Sequence, residues 1–585
     1  MGDLGLDSHV LRRDYLYGSL LSEGAEASEA PPLALLQRHS ATKLSSYVVA
    51  HDFLKGGNVV NFNQDAATPV ENSGEIFDVV VVGSGLSGLA AAHYIQQQMQ
   101  GRAKVLILEN HDFPGGNARR DEFVLGTSKL YAPQASTVIQ DLPPALAPSD
   151  AAAALFQELG IDLQSRKVPE NQYFFGVFRD GKDTGPAWYP NIFAAPLSDR
   201  TKQDMGAFFE TVMHFYDADD WRDKLAELDK ITFRDYLRSR NWSDELFRLM
   251  VPELGAFFGF PDAVSAACVY SHYGSKGPRY IYGFSGGNSG LVRHLLKNVI
   301  PSAIRGDSSP EAILNGAVDE EALDRPANPT RLRLRSSAVR VRHEGNPGGA
   351  SHVSITIAAG NRRYLVQARG VVMACGGFVS RDVVADMPSD QREAYNSFVY
   401  APVLWANVAL NNSRALDKAD LNFLSTYTDG FGGLLLRYEK MGAVMADPER
   451  PNVIGICCPR SYPGLTAREQ EKRAQQEMME TPFRDYEERI RQDLVRVLGS
   501  WGFDPQHDIA AITIHRWAQH SYVFGYPGFF TSGVVDRARR RFGRIAFAHT
   551  DLHKFSLVMG AVEQGHRAAL EIAGCLEERG AGAAD

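Results

Sequence analysis

The sequence predicts an α/β protein built around a parallel sheet. Residues 77–82 are mostly valine and indicate a buried strand, glycines follow at once, and a helical pattern covers about residues 86–100. Residues 104–109 are the next apolar strand, which completes a βαβ unit. Near the other end of the chain, a strand over 544–548 leads to a helix over about 560–577.

Composition excludes several classes of protein. The chain has 585 residues, of which 44% are hydrophobic and 22% charged, as in ordinary globular proteins of two or three domains. The net charge of −9 is spread along the chain without a long basic run, which argues against nucleic acid as a partner. No run of about 18 apolar residues occurs, so no membrane span is expected.

Cysteines and the N-terminus bear on metal binding and location. None of the five cysteines lies in a paired arrangement suited to zinc, so no metal site is predicted. Arg12 and Arg13 resemble a twin-arginine export motif, but a polar segment follows instead of an apolar one. We interpret it as an uncleaved remnant and expect a cytoplasmic rather than a periplasmic protein.

The middle of the chain supplies more strands and a surface loop. Residues 331–342 and 353–358 alternate apolar and polar side chains as half-buried strands do, and residues 370–374 are a fully apolar strand. The Pro/Ser/Asp-rich stretch 304–328 predicts a surface loop, and residues 466–498 predict charged helices.

The glycine turn of the first βαβ unit carries a dinucleotide fingerprint, GxGxxG. It comprises Gly83, Ser84, Gly85, Ser87 and Gly88 with Leu86 between them. The first glycine permits the tight turn, the second lets the backbone approach a pyrophosphate, and the third allows helix and strand to pack closely. Glu109 ends the second strand, where a carboxylate can bind the ribose hydroxyls.

Both NAD(H) and FAD use this fingerprint, and the residues after Glu109 favour FAD. The segment contains Asn110, Gly116, Asn117 and Arg119. It resembles the Gly-Gly turn and basic residue that follow the FAD diphosphate in flavoproteins of the amine-oxidase type.

The same resemblance implies further FAD contacts elsewhere in the chain. Asp551 ends a strand like the one whose acid binds the ribityl chain, and Gly560 and Ala561 start a helix facing the flavin or the diphosphate. Val339 stands where such proteins pass backbone groups beside the adenine.

This layout predicts discontinuous domains. The N-terminal arm comprises residues 1–74. A Rossmann-type FAD-binding domain comprises 75–145, 285–380 and 535–585, and an α+β substrate domain comprises 146–284 and 381–534.

Several further segments resemble the bacterial spermidine dehydrogenases among the flavin amine oxidases. They include residues 47–51, 111–123, 280–288, 388–394 and 501–517. The resemblance implies an FAD enzyme that removes hydride from a carbon bearing an amine. Some of those enzymes also carry haem b, but no haem can be derived from this sequence, and we interpret His39 and His51 in the arm as surface or packing residues.

The chain departs from that family at residues 517–522. Trp517 and Tyr522 are candidates for aromatic walls around the substrate, and His520 is a candidate for the group that keeps its amine neutral. Trp517 also fits a simple core role. The expected substrate is a small molecule, either a polyamine or an amine-containing biosynthetic intermediate.

Two other functions stay open at this point. One is desaturation or oxidation of a non-polyamine intermediate on the same fold, and the other is a non-catalytic flavin-binding protein. A homodimer is compatible with the sequence.

Overall fold

The computed structural model describes residues 70–140, 150–167, 197–274, 281–359, 362–419, 423–425, 434–438 and 447–577. At positions 423–425, 434, 479 and 518–522 it describes only the backbone. Most of the predicted arm, including His39 and His51, lies outside this part of the chain.

The strands are β1 Glu71–Val82, β2 Val105–Leu108, β3 Arg120–Leu125, β4 Ser128–Pro133, β5 Val138–Gln140, β6 Ile281–Gly283, β7 Thr330–Arg333, β8 Ser337–His343, β9 Val353–Ala359, β10 Arg362–Met373, β11 Tyr400–Leu410, β12 Phe423–Ser425, β13 Leu434–Arg437, β14 Asn452–Pro459, β15 Ile509–Val523 and β16 Ile545–Phe547.

The α-helices are Leu86–Gln98, Ala151–Glu158, Asp199–Met213, Trp221–Leu228, Phe233–Ser239, Asp244–Phe258, Ala266–Tyr273, Ser289–Val299, Pro310–Asn315, Glu320–Leu323, Gly377–Val383, Ser389–Ser397, Arg414–Lys418, Ala467–Glu480, Phe483–Leu498, Pro505–Asp508, Val534–Arg539 and Val558–Glu577. No helix in the described residues is both long enough and apolar enough to cross a bilayer.

The first sheet has seven strands and confirms the predicted α/β class. Strands β7, β2, β1 and β10 lie side by side in parallel. The C-terminal half of β10 also pairs in parallel with β16, while its N-terminal half begins an antiparallel extension through β9 to β8. The carboxyl ends of β1, β10 and β16 therefore meet at one edge, where open α/β sheets bind ligands.

The helices Leu86–Gln98 and Val558–Glu577 cover one face of this sheet. Their apolar residues share a core with alternate residues of the strands, including Val79, Val81 and Val105. β2 and the last four residues of β1 are buried on both sides, which is why their sequences read as continuous apolar runs.

The second sheet is antiparallel, in the order β12-β13-β14-β11-β15. One face packs on the helix Phe483–Leu498 through residues such as Leu404 and Ile514. The other face contacts the β3–β4 hairpin through residues such as Val403 and Trp405. The hairpin follows directly from the turn at Gly115 and Gly116, so this face lies next to the predicted cofactor elements.

Two sequence-based predictions are wrong in detail. The alternating run 331–342 is not one strand, because Arg335 adopts φ +53° and breaks it into β7 and β8, which join different parts of the sheet. The stretch 304–328 contains two short helices rather than a plain loop. The helix Pro310–Asn315 has Ser309 as its N-cap, with the side chain accepting a hydrogen bond from the Ala312 amide.

Candidate active site

The turn after β1 contains glycines with two different roles. Gly83 has φ +108°, and a Cβ on it would lie 2.7 Å from the Ala374 carbonyl oxygen; a Cβ on Gly88 would lie 1.9 Å from the Gly83 carbonyl oxygen. These two positions need glycine because of protein packing. At Gly85, in contrast, the nearest atom to an added Cβ would be the Gly116 Cα, 3.9 Å away. The protein itself therefore leaves room beside Gly85.

The helix Leu86–Gln98 begins directly after Gly85. Its first intrahelical hydrogen bond runs from the Leu89 amide to the Gly85 carbonyl, at 3.0 Å. The amides of residues 86–88, including Ser87, precede that bond and lie at the positive end of the helix. Such an arrangement binds a diphosphate without any charged side chain.

Glu109 lies just beyond the end of β2, buried beside the glycine turn. Its Oε2 accepts hydrogen bonds from the Ser84 amide (3.2 Å) and hydroxyl (2.5 Å). Its Oε1 accepts from the His111 amide and lies against Nδ1 of the same residue, both at 2.9 Å. Burial opposes ionisation, but these bonds and the attraction of His111 outweigh it and lower the pKa of Glu109 to about 2. Glu109 is therefore a fixed anion.

The Gly-Gly turn lies against the glycine turn of β1. The Gly115 amide donates to the Ser84 carbonyl at 3.1 Å, and a Cβ on Gly116 (φ +55°) would lie 3.3 Å from the Gly85 Cα. Arg119 donates from Nε to the Gly116 carbonyl at 3.1 Å. These contacts place a guanidinium next to the space beside Gly85.

Two polar residues near this turn, Asn110 and Asn117, are also predicted to contact the cofactor. Asn110, directly after Glu109, is partly buried. The carbonyl of Asn117 accepts from the Ser136 amide at 3.3 Å. That bond links the Gly-Gly turn to the segment after β4.

Val339 occupies an irregularity in the antiparallel extension. In the pairing of β8 with β9, Ala338 lies opposite Ile357 and Arg340 opposite Thr356, so Val339 is an extra residue in its strand. Such a bulge withdraws backbone groups from the regular ladder. The contact of the Val339 backbone with an adenine stays a prediction.

Asp551 forms a second buried anion at the ligand-binding edge of the sheet. Its Oδ2 accepts from the Gly377 amide (3.0 Å) and the Tyr400 hydroxyl (2.9 Å), and its Oδ1 lies 2.9 Å from Nδ1 of His549. Burial raises the pKa of Asp551, but His549 and these donors outweigh it and lower the pKa below its usual value.

The last helix begins at Val558, two residues before the predicted start. The Ala561 amide donates to the Leu557 carbonyl at 3.0 Å, so it belongs to the helix ladder and offers no donor to a ligand. The first-turn amides up to Gly560 precede that bond. A Cβ on Gly560 would lie 2.6 Å from the His553 ring, which explains the need for glycine.

These elements fit FAD. The space beside Gly85, the amides at the start of the first helix and the Arg119 guanidinium suit a diphosphate. Glu109 and Asp551 are the residues that would hold the ribose and the ribityl chain. The side chains of Ser84 and His111 both contact the carboxylate oxygens of Glu109. For Glu109 to bind the ribose hydroxyls, these side chains would have to give up their hydrogen bonds to it.

Among the predicted substrate residues, Trp517 is described in full and lies between the second sheet and the Gly-Gly turn. Its Nε1 donates to the Gln134 carbonyl at 2.8 Å, and the Arg119 guanidinium carbon lies 5.8 Å from the centre of its ring. The backbone of β15 continues through His520 and Tyr522, but their side chains lie outside the described part of the structure.

Sequence reasoning missed a polar cluster around Asp121, on β3. Asp121 Oδ1 accepts from Gln134 Nε2 at 2.9 Å. Its Oδ2 accepts from Asn407 Nδ2 (2.8 Å) and Thr513 Oγ1 (2.6 Å), and lies 2.8 Å from His515 Nε2. Burial opposes ionisation of Asp121, yet His515 and the other donors lower its pKa to about 2.

The cluster lies on the same face of the second sheet as Trp517. Thr513, His515 and Trp517 alternate along β15, and Asn407 lies directly opposite Thr513 on β11. This alternation was readable from the sequence, whereas nothing in the local pattern around Asp121 points to β15.

Comparisons with known proteins agree with this geometry. The cyclohexylamine oxidase from Brevibacterium oxydans IH-35A superposes with a TM-score of 0.57 at 16% sequence identity, covering 86% of this chain and 99% of that one. Wild-type putrescine oxidase bound to putrescine superposes with a TM-score of 0.57 at 15% identity, covering 85% and 99%. At these identities the similarity establishes the fold. A search of curated protein sequences found no match.

The family model for flavin-containing amine oxidoreductases matches residues 86–573. The match runs from the helix after the glycine turn to the C-terminal helix and therefore includes both buried anions and the second sheet. The chain is thus an enzyme of the flavin-containing amine oxidoreductase family, with FAD as its cofactor.

Proposed function

We propose that this enzyme oxidises a small amine by removing hydride from the carbon next to nitrogen. The contacts of Trp517 with the Gly-Gly turn and with the segment after β4 carry the proposal. Its ring lies beside Arg119, which belongs to the Gly-Gly turn, and its strand also carries the polar residues of the Asp121 cluster. A substrate bound at this sheet face would therefore lie next to the cofactor elements.

FAD, when bound, supplies the acceptor for the hydride. The chain has to hold the amine in one orientation and keep water away, because orientation provides much of the rate in such reactions. Trp517 suits that role, since its indole is fixed at one end by the Gln134 carbonyl. His520 and Tyr522 stay predictions for the same site.

The substrate class rests on relatives and on sequence resemblance. Cyclohexylamine oxidase and putrescine oxidase are named for a cyclic monoamine and a diamine, and the sequence resembles spermidine dehydrogenases. We therefore propose an alkyl monoamine or a polyamine as the substrate.

Anaerobic flavin bleaching tests this function. The FAD-loaded enzyme should be mixed with cyclohexylamine, putrescine or spermidine while the absorbance of oxidised flavin is followed. At least one amine should bleach it, and tert-butylamine, which has no hydrogen on the carbon next to nitrogen, should not. Equal bleaching by tert-butylamine, or none by any amine, would contradict the proposal and direct the search to non-amine intermediates.

A further inference from the structure

The Asp121–His515 pair has the geometry of an oriented base. Asp121 is an anion and can only accept hydrogen bonds, so His515 Nε2 carries the hydrogen of their 2.8 Å contact. In the neutral ring this leaves the lone pair on Nδ1. A buried carboxylate that fixes the tautomer of an imidazole in this way is a recurring device in enzymes.

The second ring nitrogen of His515, Nδ1, has no hydrogen-bond partner in the described part of the chain. Within the described residues, the contact with Asp121 is the only hydrogen bond that this side chain makes. Nδ1 is not fully enclosed by the protein, and the side chain is 14% exposed. The ring is thus anchored at one nitrogen and accessible at the other.

The oxygens of Asp121 are fully engaged. Oδ2 faces three donors and Oδ1 faces Gln134, so the carboxylate is poorly placed to bind a substrate cation itself. Its role is therefore to orient the ring. Thr513 and Asn407 hold the carboxylate in place, and they lie opposite each other on the neighbouring strands β15 and β11.

We propose that His515 accepts the proton of the substrate ammonium and that Asp121 is the residue that positions it. This inference rests on the proposed amine oxidation. An alkyl ammonium has a pKa of about 10.4 by analogy with lysine, so at neutral pH most substrate arrives protonated and has no lone pair to support hydride loss.

The proton balance is simple. The N–H bond of the ammonium breaks, its electron pair stays on nitrogen, and the proton joins Nδ1 to give an imidazolium paired with Asp121. Loss of hydride from the adjacent carbon then leaves an iminium ion, and the imidazolium later returns its proton to solvent.

Several charged or titratable groups lie around the Asp121 cluster. They include Asp121, Tyr438 directly after β13, Cys457 on β14 and Arg119 beside Trp517. Asp121 is ionised above a pKa of about 2, and burial raises the pKa of Tyr438 well above its usual value.

The first experiment uses pH and chemical rescue. In His515→Ala, the rate of flavin reduction by a reactive amine should fall about 100-fold at pH 7, the usual order for a general base. The deficit should shrink to about 3-fold at pH 10, where much of the amine is already neutral. Added imidazole should restore part of the rate at pH 7. His507→Ala, at a position whose side chain is 80% exposed, is the matched control and should behave as wild type.

The second experiment needs no turnover. Diethyl pyrocarbonate acylates accessible neutral imidazoles. Peptide mapping of the FAD-loaded wild type should find His515 modified. Modification of the exposed His507 serves as the internal control for the reagent. Asp121→Asn should change the pH dependence of His515 modification while leaving that of His507 unchanged.

The results separate this proposal from the proposed function. A wild-type pH profile in His515→Ala, a deficit that is equal at pH 7 and pH 10 and not rescued by imidazole, or an unmodified His515 would each overturn the role of His515. If no amine bleaches the wild-type flavin, amine oxidation is refuted, and with it the ammonium as the proton donor to His515.

Discussion

Replacing Glu109 by glutamine tests whether this residue is the fixed anion that the structure describes. The side chain keeps its size, but one oxygen becomes an amide nitrogen. Oε2 faces the amide and hydroxyl of Ser84, and Oε1 faces the amide and ring of His111. Whichever way the new amide turns, its NH2 group faces a buried backbone N–H, and two donors oppose each other.

Two independent arguments give the magnitude. A buried donor without an acceptor costs about 1–3 kcal/mol, and the charge-assisted bonds are lost as well. The pKa of Glu109 lies at about 2 in the folded chain against 4.5 in the reference state, which corresponds to roughly 3 kcal/mol at about 1.4 kcal/mol per pKa unit. Glu109→Gln should therefore destabilise the FAD-free chain by about 2–3 kcal/mol.

Urea unfolding followed by circular dichroism measures this penalty. Because the folded pKa is depressed, the stabilisation is complete above pH 4.5 and is lost only as the pH falls towards 2. The penalty should thus be no smaller at pH 5.5 than at pH 7. Glu449→Gln, which removes an exposed ion pair with Arg414, should cost less than about 1 kcal/mol. A penalty for Glu109→Gln as small as that of this control would refute the assignment, as would one that shrinks at pH 5.5.

Three further outcomes are expected. Gly85→Ala should lower FAD content at least 10-fold in the isolated protein but leave the stability of the FAD-free chain unchanged, because the methyl group meets ligand space rather than protein; Gly88→Ala should instead lower the yield of folded protein. Trp517→Phe should keep normal FAD content and slow flavin reduction by amines several-fold, since the ring stays and its bond to Gln134 is lost; unchanged reduction would make Trp517 a core residue. Burial raises the pKa of Glu253 to about 7, so its neutral form stabilises the fold below pH 4.5 and this stabilisation is lost as the pH rises through 7. Glu253→Gln should therefore be more stable than wild type by about 1–2 kcal/mol at pH 8 but not at pH 5, as measured by urea unfolding.

The cofactor half of the molecule was largely predictable because its requirements are local. Gly88 is needed by a contact within the βαβ unit, and Glu109 ends a strand recognisable from its apolar run. The errors lie where local signals mislead. Arg335 takes a left-handed conformation that a side chain of its type rarely adopts, and no sequence pattern marked the resulting break between β7 and β8. The division into domains stays a prediction.

The substrate half was less predictable because its key contact spans the chain. Asp121 and His515 are 394 residues apart in sequence and meet only because the β3–β4 hairpin lies on the second sheet. The prediction of His520 rests on its chemistry and on its place in a segment that departs from the related family, and neither feature gives the face of the strand on which its side chain lies. For residues 513, 515 and 517, the alternation along β15 does give the face, because it places all three side chains on the side of the sheet that meets the cofactor elements.

The same alternation separates two functions within one strand. Ile512 and Ile514 point to the helix Phe483–Leu498 and belong to the core, while Thr513 and His515 point to Asp121. A change on the core side would alter stability first, whereas a change at His515 alters the group that we propose to receive a proton. Because the two sets alternate residue by residue, a shift of β15 by one position against β11 would exchange them. The pairing of Asn407 with Thr513 therefore ties the chemistry of this site to the register of the second sheet.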